Sequence, residues 1–511
     1  MEFRNSEYYR VGKATDLSGK DRVIYRFFEI LPGFLAWLVL LLMFVIPSYF
    51  PFFSAIFIIV FDVYWLLRSL YFLIYLYQNW KKTTHNTHLD WQERLHNFKY
   101  DHLYHLVLLP FYKEDYDVAK RGIDAILKSR FDMKKMIVVM AGEERVGEHA
   151  KKVAAQIEQN YKDKFGHLLI TIHPKDLPGE MPGKGSNISY AAKQAKIQIL
   201  DKENIPYENV IVSAFDIDTV VLPEYFNCVT WNYLVSENPF KTSFQPIPFY
   251  NNNLWDTNTV SRLSSASISL LQMMQQERPD KLETFSSHSM SFKTLHELDY
   301  WQKNMVSEDS RIFWNALLAK NGDYKVTPMC YPIYMDATLA PTFGETMKNI
   351  YKQQRRWSWG VENIPYVLFG FIKNKKIKLS KKLFFSFILL EGFLTRSVVS
   401  IFILFSGWFV LWFGGRNFNS TVLSYNLPIV TGYLVSITMI GLFVSALVSY
   451  GFLPAHPRGW NWKHKTIYGL QWILIPFLLI FVGSIPSIDA QTRLMFGKYM
   501  GFWVTPKHSK K

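Results

Sequence analysis

The sequence predicts an α/β domain, built on a doubly wound and mostly parallel sheet, that is inserted between two blocks of transmembrane helices. Long apolar stretches lie near the two ends of the 511-residue chain and are separated by a long polar region. Within that region, short apolar runs alternate with longer amphipathic patterns, which is typical of strands that alternate with helices. Polar side chains recur directly after several of these runs, where an α/β sheet binds its ligands.

The apolar stretches divide the chain into six segments. We predict a cytoplasmic N-terminal segment (1–29), two transmembrane helices (30–77), the α/β domain (78–344), an interfacial amphipathic segment (345–382), three or four further transmembrane helices (383–487) and a basic tail (488–511). The first apolar stretch is too long, and too closely followed by a second, for a cleaved signal peptide. Asp62 and Arg68 interrupt the second stretch, so one side of that helix is expected to face protein rather than lipid.

Five strands and three helices are predicted in the α/β domain. The strands are Tyr104–Leu109, Met136–Met140, Leu168–Ile172, Val210–Phe215 and Thr242–Gln245, and the helices are Asp117–Lys128, Glu144–Gln159 and Ser186–Leu200. Elements that alternate in this order favour a parallel sheet with helices on both faces. In such a sheet the ligand binds at the carboxyl ends of the strands.

The C-terminal block leaves the number of membrane crossings open. Its apolar stretches lie near Leu383–Phe413, Ile429–Leu453 and Tyr468–Ile485. Basic residues place two regions in the cytoplasm: the loop before the last stretch, with Arg458, Lys463 and Lys465, and the tail, with Lys507, Lys510 and Lys511. Three crossings would leave the tail outside. Either one stretch is re-entrant, or the first contains more than one element, or the tail breaks the rule.

The strongly basic composition has a membrane explanation. The net charge is +15 and the isoelectric point is about 9.4, values that would suggest nucleic acid as the partner of a soluble protein. Many lysines, however, cluster beside apolar stretches, as between Lys373 and Lys382, where an anionic cytoplasmic leaflet is the simpler partner. We therefore expect membrane lipid, and no nucleic acid, as a partner. The two cysteines, Cys228 and Cys330, are too few for a disulfide framework or a thiolate zinc site.

Two acidic pairs could carry chemistry. Asp216 and Asp218 follow the fourth predicted strand, and carboxylates at this spacing can hold a hard divalent cation that also binds phosphate oxygens. A solvated turn is the alternative. Glu308 and Asp309 come later in the domain, and a carboxylate near such a cation could deprotonate an acceptor hydroxyl. The alternative for this pair is an ordinary helix N-terminus, with Ser307 as its cap.

Two loops at the predicted ligand edge could bind a nucleotide. Tyr112 and Glu114, which follow Pro110 at the end of the first strand, could stack on a base and hydrogen-bond to it. Lys184 and Asn187 lie in a glycine-containing run that opens a helix, where free backbone amides favour an anionic group. Each could instead be an ordinary loop, and the second lacks the spacing of a P-loop.

A cationic, aromatic and amide-bearing cluster lies at the edge of the C-terminal membrane block. It comprises Gln353, Arg356 and Trp357. Arginine offers a planar fork for phosphate, tryptophan a flat face for a sugar ring, and glutamine both a donor and an acceptor. Such a cluster could bind a nucleotide diphosphate and a sugar together. The alternative is an amphipathic helix whose basic and aromatic residues lie on lipid headgroups.

Taken in order, these pieces resemble the membrane-integrated family 2 glycosyltransferases, the group of the cellulose, chitin and hyaluronan synthases. The resemblance covers roughly residues 104–360 and the flanking membrane segments. The matched positions are the opening segment Pro110, Tyr112 and Glu114, the lysine-bearing glycine segment Gly183–Asn187, the Asp-x-Asp pair Asp216 and Asp218, the acidic pair Glu308 and Asp309, and the Gln-x-x-Arg-Trp signature Gln353, Arg356 and Trp357. One departure follows the second strand, where the family has an aspartate pair that contacts the nucleotide. Here we assign Glu143, rather than Glu144, to that contact.

The resemblance implies a GT-A fold on the cytoplasmic face of the plasma (inner) membrane and a hexosyltransferase-type reaction. It implies a nucleotide-diphospho-sugar donor, with UDP the expected nucleotide, and Mg²⁺ or Mn²⁺ held by Asp216 and Asp218. The reaction would invert the anomeric centre by direct displacement, with Asp309, beside Glu308, as the base that takes the acceptor proton. The implied donor-binding residues are Pro110, Tyr112, Glu114, Glu143, Lys184, Asn187, Asp216 and Arg356, and the implied acceptor-binding residues are Gln353 and Trp357.

The sequence leaves two alternatives to polysaccharide extension open. The signature also occurs in enzymes that move one sugar onto a lipid, so the expected acceptor is a polysaccharide or a lipid-linked molecule. An alternative of another class is a membrane transporter with a cytoplasmic regulatory domain, in which the ordered carboxylates and the Gln-x-x-Arg-Trp run would be coincidental. Donor hydrolysis by the purified protein would distinguish the enzyme from the transporter.

Overall fold

An eight-stranded mixed sheet forms the centre of the computed structural model, which describes residues 4–457 and 459–505. The strands are β1 (Tyr104–Pro110), β2 (Met136–Glu143), β3 (His167–His173), β4 (Val210–Ala214), β5 (Val220–Val221), β6 (Thr242–Phe249), β7 (Ser289–Ser291) and β8 (Lys325–Tyr334). Their order across the sheet is β3-β2-β1-β4-β7-β6-β8-β5. All five predicted strands are present, and β5, β7 and β8 are additional to the prediction.

The sheet is mixed rather than mostly parallel. Four of the seven pairs of neighbouring strands are parallel, and the other three, β4 with β7, β5 with β8 and β6 with β7, are antiparallel. In the parallel half, Leu109 of β1 is in register with Met140 of β2, and Leu108 is in register with Ala214 of β4. The carboxyl ends of these three strands therefore reach the same edge, and the loops that follow them lie close together.

Helices cover both faces of the sheet, as the alternation of elements predicted. The helices are α1 (Gly19–Tyr49), α2 (Pro51–His88), α3 (Trp91–Leu95), α4 (Tyr116–Leu127), α5 (Glu148–Tyr161), α6 (Lys184–Ala195), α7 (Tyr225–Val235), α8 (Thr259–Gln276), α9 (Phe292–Glu297), α10 (Glu308–Ala319), α11 (Phe343–Ser358), α12 (Asn363–Lys373), α13 (Leu379–Phe413), α14 (Gly415–Asn419), α15 (Val422–Tyr450), α16 (Trp462–Leu470), α17 (Ile475–Leu478) and α18 (Ile485–Met495). Alternate residues of β1 point to opposite faces. Leu106 and Leu108 pack in the core that contains α6, α9, α10 and α12, whereas Val107 and Leu109 pack in the core that contains α4, α5 and α7.

Within the described residues, five helical stretches are long and apolar enough to cross a membrane. They are α1, α2, α13, α15 and the run Trp462–Met495. Only Phe50 separates α1 from α2, so these two helices form a tight hairpin. α13 is one uninterrupted helix, and its Glu391 pairs with Arg68 of α2. Asp62 of α2 is buried, and this side of the helix therefore faces protein, as the charges in the apolar stretch predicted.

The run Trp462–Met495 begins and ends beside the α/β domain. Near its start, Arg262 Nε of α8 donates to the side-chain oxygen of Gln471 (3.4 Å). Near its end, Arg355 Nη1 of α11 donates to a carboxylate oxygen of Asp489 (2.8 Å). α11 belongs mostly to the predicted interfacial segment, but it packs on α8 of the α/β domain, where Gln354 Nε2 donates to the Ser264 hydroxyl (3.4 Å). Both ends of this run therefore lie on the side of the α/β domain. The basic residues that bear on orientation lie in part outside the described residues, namely Arg458, Lys507, Lys510 and Lys511.

Candidate functional site

One large cavity gathers the residues that the sequence singled out. Its volume is about 1780 Å³. We call the part at the carboxyl edge of β1, β2 and β4 the sheet end, and the part between α2, α13 and α15 the helix end. The wall of the cavity contains all thirteen predicted site residues, namely Pro110, Tyr112, Glu114, Glu143, Lys184, Asn187, Asp216, Asp218, Glu308, Asp309, Gln353, Arg356 and Trp357.

A lysine links two acids at the sheet end. Lys184, the first residue of α6, places its Nζ 2.7 Å from Asp216 Oδ1 and 3.0 Å from both carboxylate oxygens of Asp309. Burial alone would lower the pKa of Lys184, but the carboxylates of Asp216 and Asp309 outweigh burial and raise it. A positive charge is therefore held between the end of β4 and the start of α10, where it can also attract an anionic ligand.

Asp218 is held by residues that the sequence did not single out. One of its carboxylate oxygens accepts a hydrogen bond from the backbone N–H of Asp336 (2.8 Å), just after β8. Asp336 is held in turn by Arg121 of α4, whose Nη2 lies 2.5 and 2.7 Å from its two carboxylate oxygens. Asn252 Nδ2 donates to the carbonyl of Asp218 (2.9 Å). Because Asp218 is fully buried, these contacts fix the place of its carboxylate beside the end of β4.

The acidic pair lies in the first turn of α10. Glu308 is 2% exposed, and burial, together with the neighbouring Asp309 carboxylate, raises its pKa to about 8. The side chain of Asp309 is more accessible and faces Lys184. The pair also marks a helix N-terminus, but the Ser307 side chain makes no capping hydrogen bond. The two environments suit Asp309, rather than Glu308, to accept a proton from a ligand near neutral pH.

The loops after β1 and β2 combine an aromatic ring, a cation and carboxylates. The guanidinium carbon of Arg145 lies 4.4 Å from the centre of the Tyr112 ring, and the same arginine pairs with Glu143. A carboxylate oxygen of Glu114 accepts from the backbone N–H of Tyr112 (2.7 Å). Of the two candidate glutamates, Glu143 lines the cavity, whereas Glu144 accepts from a backbone N–H in the loop after β3 (3.0 Å). The geometry therefore favours Glu143 for contact with a ligand.

The Gln-x-x-Arg-Trp residues of α11 line the cavity. Gln353 Oε1 accepts from the hydroxyl of Thr338 (2.9 Å), and the Trp357 ring lies 6.3 Å from the ring of Tyr250. Burial, and then the Asp-x-Asp carboxylates, raise the pKa of Tyr250, so this ring lies close to the acids. The run thus lines the cavity between the acids at the sheet end and the start of the helix end.

The glycine-containing segment packs more tightly than a flexible turn. Asn187 Nδ2 donates to the carbonyl of Ala141 in β2 (2.7 Å), so this amide ties α6 to the sheet. A Cβ added at Gly185 would lie 2.9 Å from the carbonyl oxygen of Gln302 and 3.0 Å from Glu308 Cβ. The absence of a side chain at Gly185 therefore lets α6 approach α10, which brings Lys184 to Asp309.

Residues after α18 complete the cavity wall. The ring of Phe502 lies 5.2 Å from the guanidinium carbon of Arg356, and a Cβ added at Gly183 would lie 2.6 Å from Phe502 Cγ. Val504 and Thr505 also line the cavity. Sequence reasoning missed this segment because it assigned the whole region to a basic tail. The available signal was the pair of aromatic residues at 502 and 503.

The Asp-x-Asp carboxylates suit a cation that is shared with a ligand. Among the residues that the structure describes, no three His, Cys, Asp or Glu side chains form a closed metal site. Asp216 and Asp218 both line the cavity and offer the oxygen ligands that Mg²⁺ and Mn²⁺ prefer. Mg²⁺ commonly binds through one or two carboxylates and completes its coordination with substrate phosphates. The residues present therefore fit a cation that arrives with a diphosphate.

The helix end has a partly polar wall inside otherwise apolar helices. The polar lining residues are Asp62, Arg68 and Ser69 of α2, Glu391, Thr395, Arg396, Ser400 and Ser406 of α13, and Thr431, Thr438 and Ser445 of α15. Ionisable residues in apolar spans usually face a protein interior or a water-filled space. A polar path therefore extends from the acids at the sheet end into the space between the helices.

Comparisons with known proteins give only distant similarities. A scan against models of known protein families and a search of curated proteins each found no match. Among solved structures, the chain is similar to the mannosyltransferase PcManGT from Pyrobaculum calidifontis in complex with GDP-Man and Mn²⁺, with 12% identity and a TM-score of 0.38 over 84% of this chain and 100% of that one. It is also similar to S. aureus TarS 1–349 in complex with UDP-GlcNAc, with 13% identity and a TM-score of 0.36 over 68% of this chain and 91% of that one. These values are too low to place the chain in a family.

Proposed function

We propose that this protein is an inverting glycosyltransferase of the family 2 type, which uses a nucleotide-diphospho-sugar, with UDP the expected nucleotide, to extend a polysaccharide at the membrane. The observation that carries the proposal is the single cavity. It joins a lysine-and-carboxylate site at the sheet end to a polar path at the helix end. A donor site and an exit path for the product are what a membrane-bound polymerising transferase needs in one space.

The proposed reaction is a direct displacement at the anomeric carbon. The acceptor hydroxyl oxygen attacks C1 of the donor sugar, the bond from C1 to the diphosphate oxygen breaks, and the nucleoside diphosphate leaves. Asp309 takes the hydroxyl proton, because its carboxylate is accessible and faces the site. Glu308 remains neutral below about pH 8 and so adds no second negative charge beside the departing diphosphate.

Cationic side chains are proposed to stabilise the leaving group. Lys184 already lies between Asp216 and Asp309, and Arg356 lines the same cavity, so both can contact the diphosphate oxygens. Mg²⁺ or Mn²⁺ bound by Asp216 and Asp218 would neutralise charge on the leaving diphosphate. The Arg121–Asp336 pair holds Asp218 in place for that role.

Donor and acceptor are proposed to bind on different walls. Tyr112, Glu114 and Glu143, beside Pro110, would contact the nucleotide base, and Asn187 would support that wall through β2. On the other wall, Gln353 and Trp357 would contact the acceptor sugar, with the indole ring as a stacking surface.

The membrane arrangement follows from the two ends of the last apolar run. Because Trp462–Met495 begins and ends beside the α/β domain, we propose that it is re-entrant and that α1, α2, α13 and α15 are the four crossings. Four crossings keep the N-terminal segment, the α/β domain and the basic tail on the cytoplasmic side, which satisfies the positive-inside rule. The exposed lysines after α12 would then meet anionic lipid of the plasma (inner) membrane.

A release assay tests the proposed activity. Purified protein in lipid nanodiscs is supplied with a panel of UDP- and GDP-sugars, released nucleotide is measured, and the products are sized. We expect release with at least one donor, loss of release with a chelator or in Asp218→Asn, and products of many sugars. A folded protein that releases nucleotide from no donor would contradict the proposal. Solute flux through proteoliposomes of that same protein would then support the transporter alternative.

One observation favours a lipid acceptor as a second candidate. Several apolar residues that line the helix end are also exposed, among them Leu404 and Trp408 of α13 and Val435 and Met439 of α15. These side chains give the helix end an apolar stretch of wall that an apolar chain from the bilayer could contact. Sizing of the product separates the candidates, because transfer to a lipid gives a single sugar that extracts into organic solvent.

A further inference from the structure

Two arginines line the helix end, and their surroundings differ. Arg68 of α2 pairs with Glu391 of α13 and also donates to the Tyr64 hydroxyl (3.2 Å). Glu391 is bound further by the hydroxyl of Thr395 (3.0 Å). The charge of Arg68 is therefore balanced inside the protein, in the way expected for an ionisable residue in an apolar helix.

The charge of Arg396 of α13 is not balanced in this way. In the part of the chain that the structure describes, no carboxylate lies within 4.0 Å of it. Its Nη2 donates to the neutral side-chain oxygen of Gln354 (3.0 Å), and its Nε is buried without a hydrogen-bond partner. A guanidinium carries five N–H donors, so most of the binding capacity of Arg396 is not used by the contacts found here.

An arginine without a paired anion in this position destabilises the protein unless a ligand balances its charge. Moving a cation out of water is costly, and a paired anion with good hydrogen bonds can offset that cost. Arg396 lines the cavity, and its partner Gln354 adjoins Gln353 in the run that is proposed to hold the acceptor. An anion that offsets the charge could therefore reach Arg396 from inside the cavity.

We propose that Arg396 binds an anionic group, a carboxylate or a phosphate, carried by the acceptor or by the growing product. The proposal rests on the proposed function, because it assumes that the cavity holds that molecule. It narrows the acceptor class to acidic molecules: either an oligosaccharide that contains a uronic acid or a lipid that carries a phosphate. The planar fork of arginine suits both groups, since each offers two oxygens for bidentate hydrogen bonds.

Binding of two matched pairs of probes tests the proposal without knowledge of the donor. One pair is cellotetraose and the same tetrasaccharide oxidised to uronic acid at every C6, and the other is farnesol and farnesyl phosphate. Binding to the full-length protein in nanodiscs made of a neutral lipid is followed by tryptophan fluorescence, since Trp65, Trp357 and Trp472 line the cavity. We expect the charged member of at least one pair to bind at least about tenfold more tightly than the neutral one. The pair that shows the preference identifies the source of the anion.

Two variants assign the preference to Arg396. Gln354→Glu places a carboxylate where the neutral oxygen now lies, 3.0 Å from the guanidinium, and should abolish the charge preference while Arg396 itself is kept. Arg396→Gln should abolish it as well. The matched control is the double variant Arg68→Gln/Glu391→Gln, which removes the balanced pair from the same cavity and should keep the preference. If Arg396→Gln does not fold, Gln354→Glu still decides the matter, because it changes one buried amide into an isosteric acid.

The outcomes separate this inference from the proposed function. Equal binding of charged and neutral probes by the wild-type protein would overturn the inference, as would a charge preference that survives in Gln354→Glu. Nucleotide release by that same wild-type protein would show that the proposed function stands on its own. If no donor supports release but the charge preference is found and is lost in Gln354→Glu, the anion site stands and the catalytic proposal fails.

Discussion

The charges at the sheet end and the hydroxyls at the helix end are satisfied in different ways. At the sheet end, charges are paired with charges from other elements, as in Lys184 with Asp216 and Asp309. At the helix end, Thr431 and Thr438 of α15 donate to the carbonyl four residues earlier in their own helix (2.9 Å each). A hydroxyl bonded in this way still offers oxygen lone pairs to the cavity. The sheet end thus suits a charged ligand in one place, whereas the hydroxyls along α15 offer weak and similar contacts, which suits a chain that moves past them.

Removing the proposed base should have the largest effect on the sheet end. Asp309→Asn is expected to lower the rate of transfer by about 10²–10⁴-fold, the usual contribution of a general base. Donor affinity should change little, because the amide keeps the size of the side chain and the nucleotide contacts lie elsewhere. Turnover and donor affinity, both measured in nanodiscs, check this expectation.

Glu308→Gln is the matched control for that experiment. Below about pH 8 the wild-type Glu308 is already neutral, so an amide should reproduce it and retain most of the activity. If Glu308→Gln were the inactive variant and Asp309→Asn the active one, the assignment of the base would be reversed.

Substitutions at the boundary between the two ends should affect donor binding and acceptor binding separately. Arg356→Ala is expected to weaken donor affinity by roughly tenfold or more, because a charge-assisted hydrogen bond to phosphate is lost. Arg356→Lys should recover only part of it, since a point charge cannot replace the planar fork. Trp357→Ala should instead raise the acceptor KM by about tenfold, through loss of the stacking surface. Steady-state kinetics, with the donor and acceptor concentrations varied in turn, check whether the substitutions act on different substrates.

Separate effects of these substitutions on donor and acceptor would also distinguish the Gln-x-x-Arg-Trp run from a lipid anchor. An anchor would make Arg356→Ala and Trp357→Ala alike, with reduced insertion in the membrane and unchanged kinetics in the protein that remains folded. Equal and near-native kinetic constants for both variants would therefore remove this run from the active site.

The helix end should tolerate the loss of single polar groups. Thr431→Val/Thr438→Val removes two hydroxyls but keeps the shape of α15, so initial nucleotide release should stay within about twofold of the wild type. The mean length of the product should fall, because the sliding path loses two of its contacts. Product sizing by gel filtration checks this, and a tenfold loss of initial release would show that the two ends are not separate.

The last expected effect, on stability rather than on kinetics, is a difference that depends on pH. The pKa of Glu308 in the folded protein, about 8, is above its ordinary value of 4.5, so its contribution is complete below pH 4.5 and is lost as the pH rises through 8. Glu308→Gln stays neutral and loses nothing. The Tm of the variant relative to the wild type should therefore rise between pH 5 and pH 9. The exposed Glu144→Gln serves as the control and should show no such trend.

The parallel half of the sheet could be predicted from the sequence, and the other half could not. β1 and β2 are continuous apolar runs, which is typical of buried parallel strands. β8 contains Pro328 and Pro332, which argue against a strand. The prediction for β6 stopped at Gln245, before Pro246, whereas the strand continues to Phe249 through an irregularity between Gln245 and Ile247. These strands form because their neighbours fix them, and no local pattern contains that information.

Part of the candidate site could be located from the sequence, because some of its residues lie next to regular elements. Asp216 and Lys184 directly follow or begin regular elements, so local patterns locate them. Asp336 and Arg121 hold Asp218 from positions far away in the chain, and only the pairing of distant strands brings them together. The pairing of Arg68 with Glu391, and its absence at Arg396, depends equally on how separate helices pack.

The contact of Phe502 with Gly183 and Arg356 has a consequence for biosynthesis. Phe502 comes after α18, so the ribosome makes it later than every candidate span. The wall beside Gly183 is therefore completed only when the segment after α18 docks. Under the proposed function, a nascent chain would carry an unfinished active site, and nucleotide-sugar would be protected from futile consumption until the path for the product had been assembled.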